Sequence, residues 1–211
     1  MIYANHIKRI LDFVLSLCAL VVLSPVMLLL TVAGSCAVKG NPFFTQERPG
    51  LGEKIFRLIK FRTMTNKRGA DGELLPDHDR LLPYGRFLRK TSLDELPELI
   101  NICKGDMAIV GPRPLLPRYL PYYSPRERKR HSVRPGLTGL AQISGRNALA
   151  WDSRLEKDVQ YVENITFLGD LRILLKTVIK VLKHEDVEDA GSFDMKDLDE
   201  ERSQKYANSK S

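Results

Sequence analysis

Residues 13 to 38 read FVLSLCALVVLSPVMLLLTVAGSCAV, and no charge interrupts them from Phe13 to Val38. A helix needs about 20 apolar residues to cross a bilayer core, so this run is long enough to enter or span a membrane. Ser24-Pro25 lies near its middle. Proline has no backbone donor and its ring clashes with the preceding turn, which predicts a kink or break there. The freed carbonyl needs a partner inside lipid, and a nearby serine hydroxyl can supply one. Lys8 and Arg9 precede the run, while Lys39, Arg48 and Lys54 follow it. Bases on both flanks specify no single crossing direction. They fit a hairpin whose two ends emerge on the cytoplasmic face. The expectation is therefore a re-entrant helix-break-helix over residues 1–39. A straight span is the alternative, because prolines occur in spanning helices. A cleaved signal peptide has a shorter apolar core and does not fit. Asp12, at the start of the run, is expected to pair with Lys8 or Arg9.

The remaining chain reads as one globular domain, residues 40–185, and a flexible charged tail, residues 186–211. The whole is 211 residues and 43% apolar, an ordinary globular share. Lys and Arg number 33 against 26 Asp and Glu, a net charge of +7. Such a balance suits nucleic acid, an anionic membrane face or phosphorylated substrates. The bases are scattered and no nucleic-acid recognition motif is present, so no nucleic-acid partner is expected. Cys18, Cys36 and Cys103 form no CxxC pair, which fits a reducing compartment.

The fold class expected is α+β, mainly helical, with short strands. Phe43-Phe44-Thr45 is a strand candidate before the turn Arg48-Pro49-Gly50, and Lys54 to Phe61 reads as a strand or a buried amphipathic piece. Tyr84 to Arg89 reads as a short helix. Ser92 to Lys104 reads as a longer one, with Ser92 as N-cap, Glu95 three residues on, and Gly105 as the stop. Met107 to Val110 is a short strand. Arg134 to Asn147 is Gly-rich and reads as loop, with Gly136, Gly139 and Gly145 free to approach a ligand closely. Leu168 to Lys183 is amphipathic, and caps a core or lies in a membrane interface. His78 and His131 show no metal spacing and read as surface residues.

Asp94-Glu95 is the constellation that points to chemistry. Acidic residues in a first helical turn complement the helix dipole, which is the plain explanation. The surrounding bases favour another. Lys60, Arg62, Arg86, Arg89, Lys90, Arg113, Arg134 and Arg146 all fall in loops or at element ends. Two adjacent carboxylates among cations suit phosphoryl transfer: one as a nucleophile that forms an acyl phosphate, the other helping to hold a divalent cation. In Gly111-Pro112-Arg113-Pro114 the prolines stiffen the backbone around Arg113, so its guanidinium loses less entropy on a phosphate. The glycines match neither a Walker A loop nor a GxGxxG fingerprint. A membrane-anchored nucleic-acid binder or a scaffold is the rival reading, and it leaves the acidic pair and Arg113 without a role.

Taken in order, Ser24-Pro25, Lys60-Phe61-Arg62-Thr63-Met64, Ser92-Leu93-Asp94-Glu95-Leu96-Pro97, Lys104-Gly105-Asp106-Met107, Gly111-Pro112-Arg113-Pro114 and Arg134-Pro135-Gly136-Leu137-Thr138-Gly139 resemble the bacterial sugar transferases known as monotopic phosphoglycosyl transferases. The resemblance runs over residues 5 to 185. It implies a re-entrant helix broken at Ser24-Pro25 in the bacterial inner membrane, with the catalytic domain on the cytoplasmic face and an interfacial amphipathic helix. It implies a UDP-sugar donor, an undecaprenyl phosphate acceptor and Mg²⁺. Asp94 matches the family nucleophile and Glu95 its dyad partner, and the two are the implied metal ligands. Lys60, Arg62, Arg89, Arg113, Arg134 and Arg146 are the implied donor and phosphate contacts. Glu73-Leu74-Leu75-Pro76 and Gly145-Arg146-Asn147-Ala148 resemble the branch that transfers diacetylbacillosamine phosphate, which implies an N-acetylated amino sugar.

Overall fold

The computed structural model describes residues 2–145, 149–183 and 197–208. A π-helical turn at Tyr3–Ile7 leads into α1, Lys8–Val38, one helix of 31 residues with Pro25 inside it. The helical state continues through Ser24-Pro25, so the pair does not end the helix. The reason is local. The carbonyl that Pro25 leaves without a donor is that of Val21, four residues back, and Ser24 Oγ donates to it at 2.8 Å. α1 ends where Lys39 adopts a left-handed conformation, φ 52°.

Val21, Val22, Leu28 and Leu29 on α1 are exposed. The opposite stripe lies along the globular part. Ala19, Leu20 and Leu23 pack on Leu58, Leu99, Ile102 and Met107. Arg9 donates to the carbonyls of Ile102 and Cys103 at 2.6 and 3.0 Å. Farther up the helix, Tyr84 donates its hydroxyl to Leu30 O at 2.7 Å.

β1 (Phe43–Pro49) and β2 (Ile55–Phe61) form an antiparallel hairpin in the register Phe44↔Lys60, Gln46↔Leu58, Arg48↔Phe56. Directly opposed residues share a face, so Lys60, Phe44, Gln46 and Arg48 belong to one side of the ribbon. The helices α2 (Asp77–Arg80), α3 (Pro83–Thr91) and α4 (Glu98–Lys104) follow. Asn101 of α4 is buried and ties that helix to β2: its Oδ1 accepts from Ile59 N–H at 3.1 Å and its amide donates to Arg57 O at 2.8 Å.

β3 (Ala108–Val110) pairs in parallel with β4 (Gly136–Thr138), a strand within the stretch expected to be loop. The glycines there serve backbone packing. A Cβ on Gly136 or Gly139 would overlap the main chain of Gly111, so the glycines let two segments touch and are not turned toward a ligand. Beyond β4 come α5 (Leu140–Ile143), α6 (Trp151–Glu163) and α7 (Phe167–Lys183). Ile173 and Asp170 of α7 are buried, while Leu168, Leu175, Val178, Ile179 and Leu182 are exposed.

The chain then returns as α8, Leu198–Asn208, which corrects the expectation of a flexible tail for residues 197–208. Leu198 is fully buried among Leu115, Tyr119, Trp151 and Leu155, a contribution of roughly 2 kcal/mol. Arg202 donates to Glu127, Asp152 and Tyr122 O.

A buried polar cluster joins the foot of α1 to α7. Asp170 Oδ2 accepts from Lys8 Nζ at 2.8 Å and from Tyr3 at 2.7 Å, and its Oδ1 accepts from Tyr161 at 2.8 Å. Lys8 also lies 3.7 Å from Asp12, whose Oδ1 accepts from Ile109 N–H. The local pair expected between Asp12 and Lys8 is therefore present, with Asp170 as a closer partner.

Candidate active site

α3 runs to Thr91 and Ser92 turns left-handed at φ 55°, so Ser92 closes α3 and is no N-cap. A 3₁₀ turn, Leu93–Glu95, bridges to α4 and presents the acidic pair at the wall of a cavity of about 680 Å³. That volume suits a drug-sized or nucleotide-sized ligand. The two carboxylates differ. Glu95 Oε1 accepts from Lys60 Nζ at 2.9 Å and from both terminal nitrogens of Arg113 at 3.2 Å. Asp94 has no hydrogen-bond or ion-pair partner among the described residues. Burial and then the adjacent Glu95 charge raise its pKa, while Lys60, Arg89 and Arg113 act to keep it ionised.

Lys60 also lies 3.0 Å from Glu98, which is 3% exposed. Burial works against the Lys60 charge, but Glu95 and Glu98 outweigh it and hold the ammonium above its usual range. Burial pushes the Glu98 carboxyl up to about 7 against the pull of Lys60, with Glu95 adding to the rise. Arg113 is half-exposed, and the Glu95 carboxylate raises its pKa. The main chain beneath it is gripped from inside. Arg130 donates to the Arg113 carbonyl at 2.6 Å and to Asp158 Oδ2 at 2.8 and 3.1 Å, and this ion pair is only 2% and 3% exposed.

The description of the bacterial sugar transferase family matches residues 3–184. The chain belongs to the bacterial sugar transferases. It is 50% identical over 183 residues to the sugar transferase EpsL of Bacillus subtilis, covering 86% of this chain and 90% of that one. It is 38% identical to the undecaprenyl-phosphate galactose phosphotransferase of Salmonella typhimurium, over 86% of this chain and 42% of that protein. It is 37% identical to the UDP-glucose:undecaprenyl-phosphate glucose-1-phosphate transferase of Caulobacter vibrioides, over 83% and 69%. This transferase thus spans most of the Bacillus protein and less than half of the Salmonella one. It is an enzyme of the phosphoglycosyl transferase type. With its long apolar α1 it is membrane-associated.

Of the residues singled out in the transferase sequence, Asp94, Glu95, Lys60, Arg62, Arg89 and Arg113 all line the cavity. Arg62 donates to Phe43 O at 3.2 Å, and Arg89 to Thr63 Oγ1 at 3.2 Å. Arg134 lies elsewhere: its Nε donates to Gly105 O at 2.8 Å, so it caps the C-terminal end of α4 beside Arg9. Arg146 lies outside the described residues. Leu74, from the Glu73–Pro76 stretch, lines the cavity. His131 is buried, against its reading as a surface residue, and burial followed by the Arg130 charge pulls its pKa down to about 3.

Sequence reasoning passed over Arg48, Glu98, Arg130 and Asp158. Glu98 sits four residues after Asp94, and that spacing was a usable signal. Arg130 and Asp158 are 28 residues apart and leave none. No group of three or more His, Cys, Asp or Glu placed to hold a metal ion is found among the described residues. A divalent cation here would rest on the dyad and on substrate oxygens, the way Mg²⁺ usually binds with one or two carboxylates.

Proposed function

We propose that this transferase moves a sugar 1-phosphate from a UDP-sugar to undecaprenyl phosphate, releasing UMP, through a covalent intermediate on Asp94. An Asp94 carboxylate oxygen bonds to the β-phosphorus of the donor. The bond from that phosphorus to the bridging oxygen breaks, and the oxygen leaves on UMP. An oxygen of undecaprenyl phosphate then bonds to the same phosphorus, the bond to Asp94 breaks, and the carboxylate is regenerated. The observation that carries the reading is the asymmetry of the dyad: Glu95 is held by two cations while its neighbour Asp94 faces the cavity with no partner. A nucleophile must be free to reach phosphorus, and flanking cations keep it charged. Asp94 and Glu95 are the residues that would hold Mg²⁺, which would supply positive charge to the pyrophosphate oxygens.

The membrane placement proposed is monotopic and re-entrant, at the cytoplasmic face of the inner membrane. Contacts at Arg9, Leu23 and Leu30 along α1 support it. A helix tied to its own catalytic domain at these points keeps both its ends on the side of that domain, with its exposed face left for lipid. The exposed apolar side of α7 suits the interface. The donor proposed is an N-acetylated amino sugar such as UDP-diacetylbacillosamine, supported by the Glu73–Pro76 resemblance and by Leu74 in the cavity wall. UDP-glucose and UDP-galactose, suggested by the names of the relatives, are the comparison donors.

The test is UMP release across that donor panel with undecaprenyl phosphate and Mg²⁺, for wild type and Asp94→Asn. Wild type releases UMP, the variant does not, and mass spectrometry finds the phosphosugar on the Asp94 peptide. Full activity in the variant would rule out the covalent route.

A further inference from the structure

The cations around the cavity can be sorted by what neutralises them. Lys60 and Arg113 are matched by Glu95, and Arg80 by Asp77 at 2.5 Å. Arg62 and Arg89 donate to neutral acceptors on Phe43 and Thr63. Arg154, also in the cavity wall, lies over the Trp151 ring, and Arg48 remains. It lines the cavity and has no carboxylate partner among the described residues. One terminal nitrogen donates to Gln46 Oε1 at 2.6 Å, and its Nε is buried without any acceptor. Burial, and then the nearby Arg113 charge, pull this guanidinium down to about 10. A half-buried cation beside a second cation, with the Glu98 charge in its favour but no carboxylate within ion-pair reach, is better stabilised once an anion arrives.

The local chain keeps Arg48 ready for one. Gln46 and Arg48 are two residues apart on a strand, so they share a face. Pro49 restricts the backbone of Arg48, as Pro114 restricts that of Arg113. The strand register also separates two cationic ends. Arg62 anchors on Phe43 at the start of β1, and Arg48 lies five residues farther, roughly 16 Å along the strand. The dyad is associated with Lys60, opposite Phe44. A transfer that brings two phosphate-bearing molecules to one carboxylate has use for two such ends.

We propose that Arg48, beside Arg113, forms an anion subsite that holds a phosphate monoester, separate from the Arg62 and Arg89 end of the cavity. This rests on the sugar-phosphate transfer proposed above. Two molecules carry that chemistry, the departing nucleotide monophosphate and the polyprenyl phosphate acceptor. The subsite takes one of them through a charged fork that a lysine cannot reproduce.

The full chain in detergent, as wild type, Arg48→Gln and Arg48→Lys, tests this. UMP affinity is measured by calorimetry and the KM for undecaprenyl phosphate by UMP release, with melting temperature as the folding control. Arg48→Gln should weaken one of the two constants about tenfold and leave the other within about twofold, and Arg48→Lys should recover part of the loss. Weakened UMP binding assigns the subsite to the nucleotide phosphate. A raised KM for the lipid assigns it to the acceptor. Two unchanged constants in a folded Arg48→Gln overturn the proposal. If that variant does not fold, phenylglyoxal labelling of wild type is decisive. Protection of the Arg48 peptide by UMP or by a short-chain polyprenyl phosphate supports the subsite, and protection by neither overturns it. A wild type that releases no UMP from any donor removes the transfer reading itself. That result is distinct from an active wild type in which changing Arg48 has no effect.

Discussion

Two clusters in this molecule share one composition, a lysine between two carboxylates. At the foot of α1, Lys8 lies between Asp12 and Asp170. Beside the cavity, Lys60 lies between Glu95 and Glu98. The first cluster is closed: tyrosines at positions 3 and 161 and the Ile109 amide donate to its carboxylates. The second is open on one side, where it borders the cavity and the unpartnered Asp94. The same ions serve as mortar where all their bonding capacity is used, and as a reactive surface where some is withheld. Desolvated charge without partners is expensive, so an unmatched carboxylate such as Asp94 points to a ligand in a way that Asp170 does not.

Removing the withheld carboxylate should have the largest effect. Asp94→Asn is expected to lower UMP release by roughly 10³-fold or more with its melting temperature kept, read by single-turnover kinetics beside a thermal melt. A large loss of stability in that variant would make the two clusters alike. Asp170→Ala should do the reverse. Removing one partner from a buried ion pair costs about 3 to 5 kcal/mol. Denaturant titration should show that loss, and turnover per folded molecule should change little.

Arg130→Lys is intermediate. It keeps the charge beside Asp158 but loses the planar fork that also reaches the Arg113 carbonyl. Turnover should fall roughly tenfold. If the effect passes through Arg113, the loss should shrink in an Arg113→Lys background, as expected for coupled residues. Additive losses would reduce Arg130 to a packing residue.

Glu98→Gln is the mildest change and concerns pH. The folded carboxyl titrates near about 7 against an ordinary 4.5. The unfolded chain therefore gives up this proton first, and ionising Glu98 costs the folded state stability as pH rises from about 4.5 to about 7. Below that window the group is protonated in both states and the cost is absent. Thermal melts at pH 5 and pH 8 should show a smaller drop for Glu98→Gln than for wild type. An equal drop would place the source of the slope elsewhere.

Much of this was legible along the chain. Both strands of the β1–β2 hairpin were signalled, although the turn expected at Arg48-Pro49-Gly50 comes later because β1 runs to Pro49, and the dyad follows from adjacent acids set among bases. What stayed hidden depends on distant partners. Arg134 read as a phosphate contact because nothing local reveals that it caps α4. β4 is three residues long, and its glycines signal loop until Gly111 is seen against them. Ser92 has the spacing of an N-cap, but α3 extends to it and takes it as a terminus. The polar segment that forms α8 is held by the buried Leu198 and by polar contacts of Asp197, Asp199 and Arg202 to distant residues, none of which registers in composition.

The grip of Arg9 on the last carbonyls of α4 has a mechanical consequence. Tyr84 holds the same helix again at Leu30, about 30 Å farther along at 1.5 Å per residue. Two clamps so far apart fix the tilt of the apolar run against the domain, so the depth at which that run settles in lipid also sets the depth of the carboxylates.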